Sequence, residues 1–273
     1  MSEIELVSDE HGGVTVVVDG QPQSYVDVDD PEGLVFEYVQ HFAAAIDALL
    51  PRGRHPRLRA THVGGAGLTL PRWVEATRPG SPQIVLEPDE RLTDLVRREL
   101  PLPRGHRIRV RPQPGREGVS ALADGSADVV VVDAFAGGRV PDDLATVEFF
   151  AEVARVLAPG GVLLMNCPDE PGLRFVARVA AGVREALGEG GEVAFVAMRD
   201  VLKGRRFGNG VLVGTRGALD VAEVDRQVRR WPFPSGVLGP GELARRGAGA
   251  RPIGDADGVQ TPQAPEGGSW RVR

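Results

Sequence analysis

The sequence predicts an α/β fold built on a mainly parallel sheet, and three observations point to it. From residue 58 onward, β-like and helix-like segments alternate, the signature of parallel strands joined by crossover helices. The first of these strands, Leu58 to Val63 broken by Arg59 and Thr61, runs into Gly64, Gly65 and Gly67 and then into a helix start. An acid, Glu87, ends the next β-like run, Gln83 to Leu86, and follows Gly67 by 20 residues. Strand, glycine turn, helix, strand and acid in this order are the layout of a nucleotide-binding βαβ unit. Glycine permits a tight turn and lets a ligand lie against bare backbone. The amides of the following helix start then point at that ligand, and a carboxylate at this spacing accepts hydrogen bonds from ribose hydroxyls. A G-x-G-x-x-G fingerprint beginning at Gly65 would need glycine where Leu70 stands, which favours an adenosyl ligand over a nicotinamide or flavin dinucleotide. The bland alternative is a glycine turn in an ordinary α/β protein, with Glu87 solvated.

Taken in order, residues 1 to about 30 carry β signals: Val14 to Val18, the turn pair Asp19-Gly20, then Ser24 to Val28. Such a pair between such runs predicts a hairpin, with Pro22 shortening its second strand. From Pro31 the apolar residues Leu34, Val35, Tyr38, Phe42, Ile46, Leu49 and Leu50 recur at helical spacing. Pro51 to Pro56 ends that helix as a loop. Helices are then expected over Asp89 to Leu100, Glu117 to Ala123, Thr146 to Leu157, Leu173 to Leu187 and Asp220 to Arg230. Short strands are expected at Ile108 to Arg111, at the four valines Val129 to Val132, and at Val162 to Met165. The valine run fits a central strand buried on both faces. Val193 to Met198 and Gly210 to Gly214 flank the basic loop Lys203 to Arg206 and are expected to pair antiparallel at the sheet edge. Beyond Trp231 turn residues dominate. The expected organisation is a β-hairpin unit at 1–30, an α/β domain at 31–253, and a polar tail at 254–273 too poor in apolar groups to fold.

Composition narrows the function classes. A chain of 273 residues can bury a sizeable core. Its formal net charge of −6 supplies no basic field for a phosphate backbone, so nucleic acid is not an expected partner. The single cysteine, Cys167, rules out an internal disulfide and fits a reducing compartment. No apolar run approaches the roughly 18 residues of a membrane span, and the first residues are acidic rather than signal-like. A cytoplasmic protein without a membrane partner is expected. The five histidines show no helical pair at metal spacing, so no metal site is expected. No G-x-S-x-G elbow is present either, which argues against a hydrolase.

In an open parallel sheet the ligand lies beyond the carboxyl ends of the strands, where strand order reverses. The segments gathered there are Gly64 to Gly67, Glu87, Gln113 to Arg116, and Asp133 to Gly137. Asp133 directly follows the valine strand, and a carboxylate in that place can hold an amine or accept its proton. Its competing role is to cap a turn or helix.

Several motifs, in order, resemble the spermidine synthase family of polyamine aminopropyltransferases, and more closely an actinobacterial spermidine synthase-like branch. They are Gln23-Ser-Tyr-Val-Asp-Val-Asp-Asp-Pro31, Leu34-Val-Phe-Glu-Tyr38, the glycine stretch, Glu87-Pro-Asp89, Asp133-Ala-Phe135 and Leu157 to Asn166. The resemblance covers roughly residues 12 to 255. It implies an amino-terminal β unit followed by the Rossmann-like, seven-stranded fold of class I S-adenosylmethionine methyltransferases. It also implies a reaction in which decarboxylated S-adenosylmethionine donates an aminopropyl group to putrescine, a small-molecule amine. By position, Gly64, Gly65 and Gly67 would approach the donor, Glu87 its ribose and Gln23 its aliphatic chain, while Tyr38 and Asp133 would line the acceptor site as catalytic residues. Homodimers are common in the family.

Two departures stand against this pattern. The second acid of the family's strand-four motif, its proposed proton acceptor, is Ala136 here, and the acid that bonds the adenine amino group is Pro114. Proline offers neither a side-chain acceptor nor a backbone donor. Asp142, Asp143 and Glu170 are the acids available as substitutes. Two other readings therefore accompany the aminopropyltransferase: a methyltransferase that uses intact S-adenosylmethionine on a small molecule, and a degenerate paralogue that keeps the fold as a binding module.

Overall fold

A computed structural model describes residues 3–259 and 261–263. Strands β1 (Ile4–Ser8), β2 (Val14–Val18) and β3 (Gln21–Val26) form an antiparallel sheet in that order. Asp19 and Gly20 both take positive φ, 49° and 74°, which matches the twist of a two-residue hairpin. The expected hairpin is therefore present, and β1 widens it to three strands. Pro22 lies on the edge strand β3, opposite the point where the register shifts between Val16 and Val17. An edge bulge is where a strand tolerates a missing N–H.

Helix α1 (Glu37–Leu49) buries the predicted stripe, with Tyr38, Phe42 and Ile46 all inside. The main sheet then forms from β4 (Ala60–Val63), β5 (Gln83–Leu86), β6 (Ile108–Arg111), β7 (Ala127–Val132), β8 (Leu157–Asn166), β9 (Gly191–Met198), β10 (Gly210–Arg216) and β11 (Ser235–Leu238). Their spatial order is β11-β9-β10-β8-β7-β4-β5-β6. Strands β8, β7, β4, β5 and β6 run parallel, whereas β10, β9 and β11 pair antiparallel. This is the Rossmann-like methyltransferase fold, with one strand added. The pair β9–β10 is antiparallel as expected but does not form the edge, because β11 covers β9. Ser-Gly-Val-Leu opens on two turn-forming residues and so does not stand out among the turn residues beyond Trp231.

The crossovers are α2 (Thr69–Thr77), α3 (Glu90–Glu99), α4 (Gly115–Ser120), α5 (Val147–Val156) and α6 (Arg174–Leu187), followed by α7 (Arg199–Leu202), α8 (Val221–Val228) and α9 (Pro240–Arg246). One face of the sheet packs Val63, Val130 and Val132 with Phe149, Phe150 and Val176. The other packs Val129 and Val131 with Phe42, Ile46, Trp73 and Val224. Valines alternating between two apolar layers are what a strand buried on both faces requires. The chain leaves β4 for β5 and β6 on one side and returns to β7 on the other, so a crevice opens beyond the carboxyl ends of β4 and β7.

The tail departs from expectation where it is described. Asp255 takes two bonds from the Arg116 guanidinium, at 2.7 and 2.6 Å, and Asp257 takes one from Arg178 at 2.9 Å. Thr261 is 1% exposed, and its hydroxyl donates to the Val140 carbonyl. Sparse apolar content does not prevent docking when charges and hydroxyls find fixed partners on the domain. The remainder of the expected tail, residue 260 and residues 264–273, lies outside the described residues.

Candidate active site

At the crevice a cavity of about 150 Å³ lies between the amino-terminal sheet, the start of α1 and the ends of β4, β7 and β8. Among the residues predicted from sequence, Gln23, Tyr38, Gly64, Gly65 and Asp133 line it. Gly67 and Glu87 do not; both are engaged in building the turn.

The turn after β4 is held from two sides. One Glu87 oxygen accepts from the Gly65 and Ala66 amides at 3.0 and 3.2 Å, and the other accepts from the Asp89 amide at 3.0 Å. The Gly67 amide donates to the Ser24 hydroxyl at 3.0 Å, which ties the turn to β3. The turn's own amides at Gly65, Ala66 and Gly67 are thus satisfied internally, by an acid at the end of β5 and a hydroxyl on β3. Gly64 has φ of +90°, and a Cβ there would lie 2.2 Å from the Asp133 carbonyl oxygen. A Cβ on Gly67 would meet Ser24 and Val26, each at 2.8 Å. These glycines are required by the close approach of backbone to backbone and of one sheet to another.

Asp133 stands at the cleft floor. Its Oδ1 accepts from Asn166 Nδ2 at 3.0 Å across the ends of β7 and β8. Burial pushes its carboxyl up to about 6, opposed by the bonding of Asn166 and Tyr38. The Tyr38 phenol is driven well above its ordinary value, first by burial and then by the Asp133 carboxylate, so it stays protonated. At the working pH of most enzymes Asp133 is therefore ionised but only weakly acidic, which suits a group that receives a proton.

Three contributors escaped the sequence reading. Asn166 carries a buried Oδ1 that has no partner among the described residues. His62, 3% exposed, forms part of the cavity wall. Glu37, 9% exposed, has a carboxyl raised by burial and bonded by the side chain of Asn209, itself a cavity residue. Only the Asn166 contact had a signal, a polar residue closing an apolar strand. The proposed substitutes Asp142, Asp143 and Glu170 are exposed and line no part of the cavity. Ala136 is exposed too, pairing through its backbone with Arg139. Cys167 is buried with its thiol pushed up, a packing residue. Among the described residues no group of three or more His, Cys, Asp or Glu is arranged to hold a metal, and no helix is long and apolar enough to cross a membrane.

Fold and site together define a Rossmann-like, methyltransferase-fold protein with an acid-floored cleft beside its glycine turn. Comparison with known proteins narrows the class. The chain is similar to a probable spermidine synthase from Corynebacterium glutamicum, with 32% identity, a TM-score of 0.84, and 97% of this chain and 96% of that one covered. It belongs to the spermidine synthase family. A polyamine aminopropyltransferase from Chromobacterium violaceum is 27% identical over 169 residues. That match spans 61% of this chain and 62% of the curated relative. A spermidine synthase in complex with the transition state analogue AdoDATO shares the fold at a TM-score of 0.58 and 16% identity, with 85% of this chain and 75% of that one covered. No family model matches the chain.

Proposed function

We propose that the protein transfers an aminopropyl group from decarboxylated S-adenosylmethionine to a small amine such as putrescine. The observation that carries this reading is the acceptor-rich cleft floor. The Asp133 carboxylate, its carboxyl raised to about 6, stands in the cavity lining with the Asn166 and Tyr38 side chains. Hydrogen-bond acceptors with a single negative charge suit an amine that arrives as a cation and must lose a proton.

The cavity, about 150 Å³, falls below the roughly 300–1,000 Å³ of sites that enclose a drug-sized ligand. It is the size of the reacting arms, not of the nucleoside. The adenosyl part then lies over the neighbouring strand ends, near Glu87 and Gln113. Glu87 already accepts three backbone bonds out of about four lone-pair sites on a carboxylate. Holding both ribose hydroxyls therefore requires it to release a turn amide. Gln113, next to Pro114, has an Oε1 that is sealed from solvent and without a partner among the described residues; turned outward, it is the acceptor we assign to the adenine amino group that the missing acid would bond.

In the step itself, Asp133 takes the proton of the acceptor ammonium. The freed nitrogen attacks the methylene carbon beside the sulfonium, the carbon–sulfur bond breaks, and methylthioadenosine leaves with the electron pair. The chain's contribution is alignment, a neutral nucleophile and exclusion of water.

Mass spectrometry of a reaction with decarboxylated S-adenosylmethionine and putrescine is expected to find methylthioadenosine and an aminopropylated amine in equal amounts. A methylated product from intact S-adenosylmethionine instead would favour the methyltransferase reading. Calorimetry that finds neither nucleoside bound would leave only the degenerate paralogue.

A further inference from the structure

His62 is unexplained by the reaction as derived so far. It lies in the interior of β4, and its Nε2 is 2.9 Å from the Gln83 side-chain oxygen. Gln83 cannot turn around, because its amide nitrogen donates to the Pro71 carbonyl at 3.0 Å. Its oxygen must therefore accept, and His62 Nε2 must carry the hydrogen. In a neutral imidazole this leaves Nδ1 with a bare lone pair. Burial holds the ring down to about 4, so it is neutral at physiological pH.

The ring is bonded at Nε2, and no bond to the other nitrogen is present among the described residues. His62 is 3% exposed and lines the cavity, which is the open space that its ring borders. The sheet register sets His62 beside Val131, with Asp133 two residues further along the neighbouring strand on the same face. Backbone positions so related are about 8 Å apart, close enough for two side chains to bracket one nitrogen. The apolar part of the cavity lining includes Val39, Leu70, Pro71 and Val131.

We propose that His62 is a substrate-contacting residue whose Nδ1, fixed as an acceptor by the Gln83–Pro71 chain, receives an N–H from a primary amine at the base of the cleft. This rests on the reading of the cleft as an amine site. The ring adds direction without charge, leaving Asp133 to balance the cation. The same chemistry belongs to the acceptor amine and to the amino end of the donor's aminopropyl arm.

Nitrogen-15 NMR of the full chain labelled at histidine, assigned with His62→Asn, tests it without requiring a variant to be active. The expected spectrum at neutral pH has His62 protonated at Nε2 and bare at Nδ1. The Nδ1 resonance should move on adding putrescine together with methylthioadenosine if the acceptor is the source, or on adding decarboxylated S-adenosylmethionine alone if the donor arm is. His62→Phe should raise KM for the bound amine about tenfold, the loss of one hydrogen bond, and leave methylthioadenosine affinity unchanged. His62→Asn, which restores an acceptor oxygen near Nδ1, should recover most of it. A ring protonated at Nδ1, or a resonance unmoved while calorimetry records amine binding, overturns the inference and leaves the proposed function standing. If calorimetry finds no amine bound at all, both fall.

Discussion

Asp133 is asked to do two things that oppose each other. Its folded value of about 6 is raised from 3.8 by burial, so the folded state prefers the protonated acid. That stability is full below pH about 4 and is lost as pH rises through about 6. Asp133→Asn, neutral throughout, is accordingly expected to melt higher than the wild type near pH 8, by about 1–3 kcal/mol. The advantage should fade toward pH 4, as urea titrations at several pH values would record. The same variant should lose roughly 10² to 10⁴ in rate, and the rise of kcat/KM through pH about 6 should disappear with it. An acid at the cleft floor was legible in sequence, because four valines lead straight to it. Its partners were not. Asn166 is 33 residues away and Gln83 is 21 residues from His62, so those contacts exist only once the strands lie side by side.

At the scale of elements, the turn after β4 is the joint on which the site hangs. Gly64→Ala would force a side chain into positive φ and against the Asp133 carbonyl. A loss of about 1–3 kcal/mol is expected, with activity falling further than stability because the displaced residue is Asp133 itself. Paired melting and rate measurements would separate the two effects. Glu87→Ala should leave the Gly65, Ala66 and Asp89 amides without their acceptor, costing roughly 1–3 kcal/mol. If Glu87 also serves the ribose, Glu87→Gln should weaken nucleoside binding more than it lowers melting temperature. The turn, its glycines and the acid were readable from spacing, but the spacing fits two arrangements equally. An acid 20 residues on can face a sugar or grip the turn, and only the hydrogen-bond partners distinguish them. Strands β1 and β11 escaped for a simpler reason: Glu5 interrupts the apolar run of the first, and the second opens on Ser235-Gly236 amid turn residues.

Across the whole molecule, the amino-terminal sheet walls the cleft, and residues near the other end hold the loop beside it. The amino-terminal sheet supplies Gln21 to Ser24 and closes over Leu68 through Val16 and Val26. From the other end, Arg139 donates to the Thr261 carbonyl and the Gln263 side chain, and Thr261 donates back to Val140. These bonds staple the loop that follows Asp133. Cutting the chain after Gly254 is expected to speed amide exchange across residues 134–140 and to raise KM for the amine, with the helices and strands unaffected. Composition argued for a loose tail because it counted apolar residues and could not see Arg116, Arg178 and Val140 waiting as partners. In the proposed reaction, one ionised carboxylate at the end of β7 takes the proton that frees the amine for aminopropyl transfer. Methylthioadenosine release from decarboxylated S-adenosylmethionine and putrescine, followed side by side in the wild type and Asp133→Asn, tests it most directly. Steady release is expected from the wild type, with a fall of at least about a hundredfold in the variant; equal rates, or no release from either, would rule out this role for Asp133.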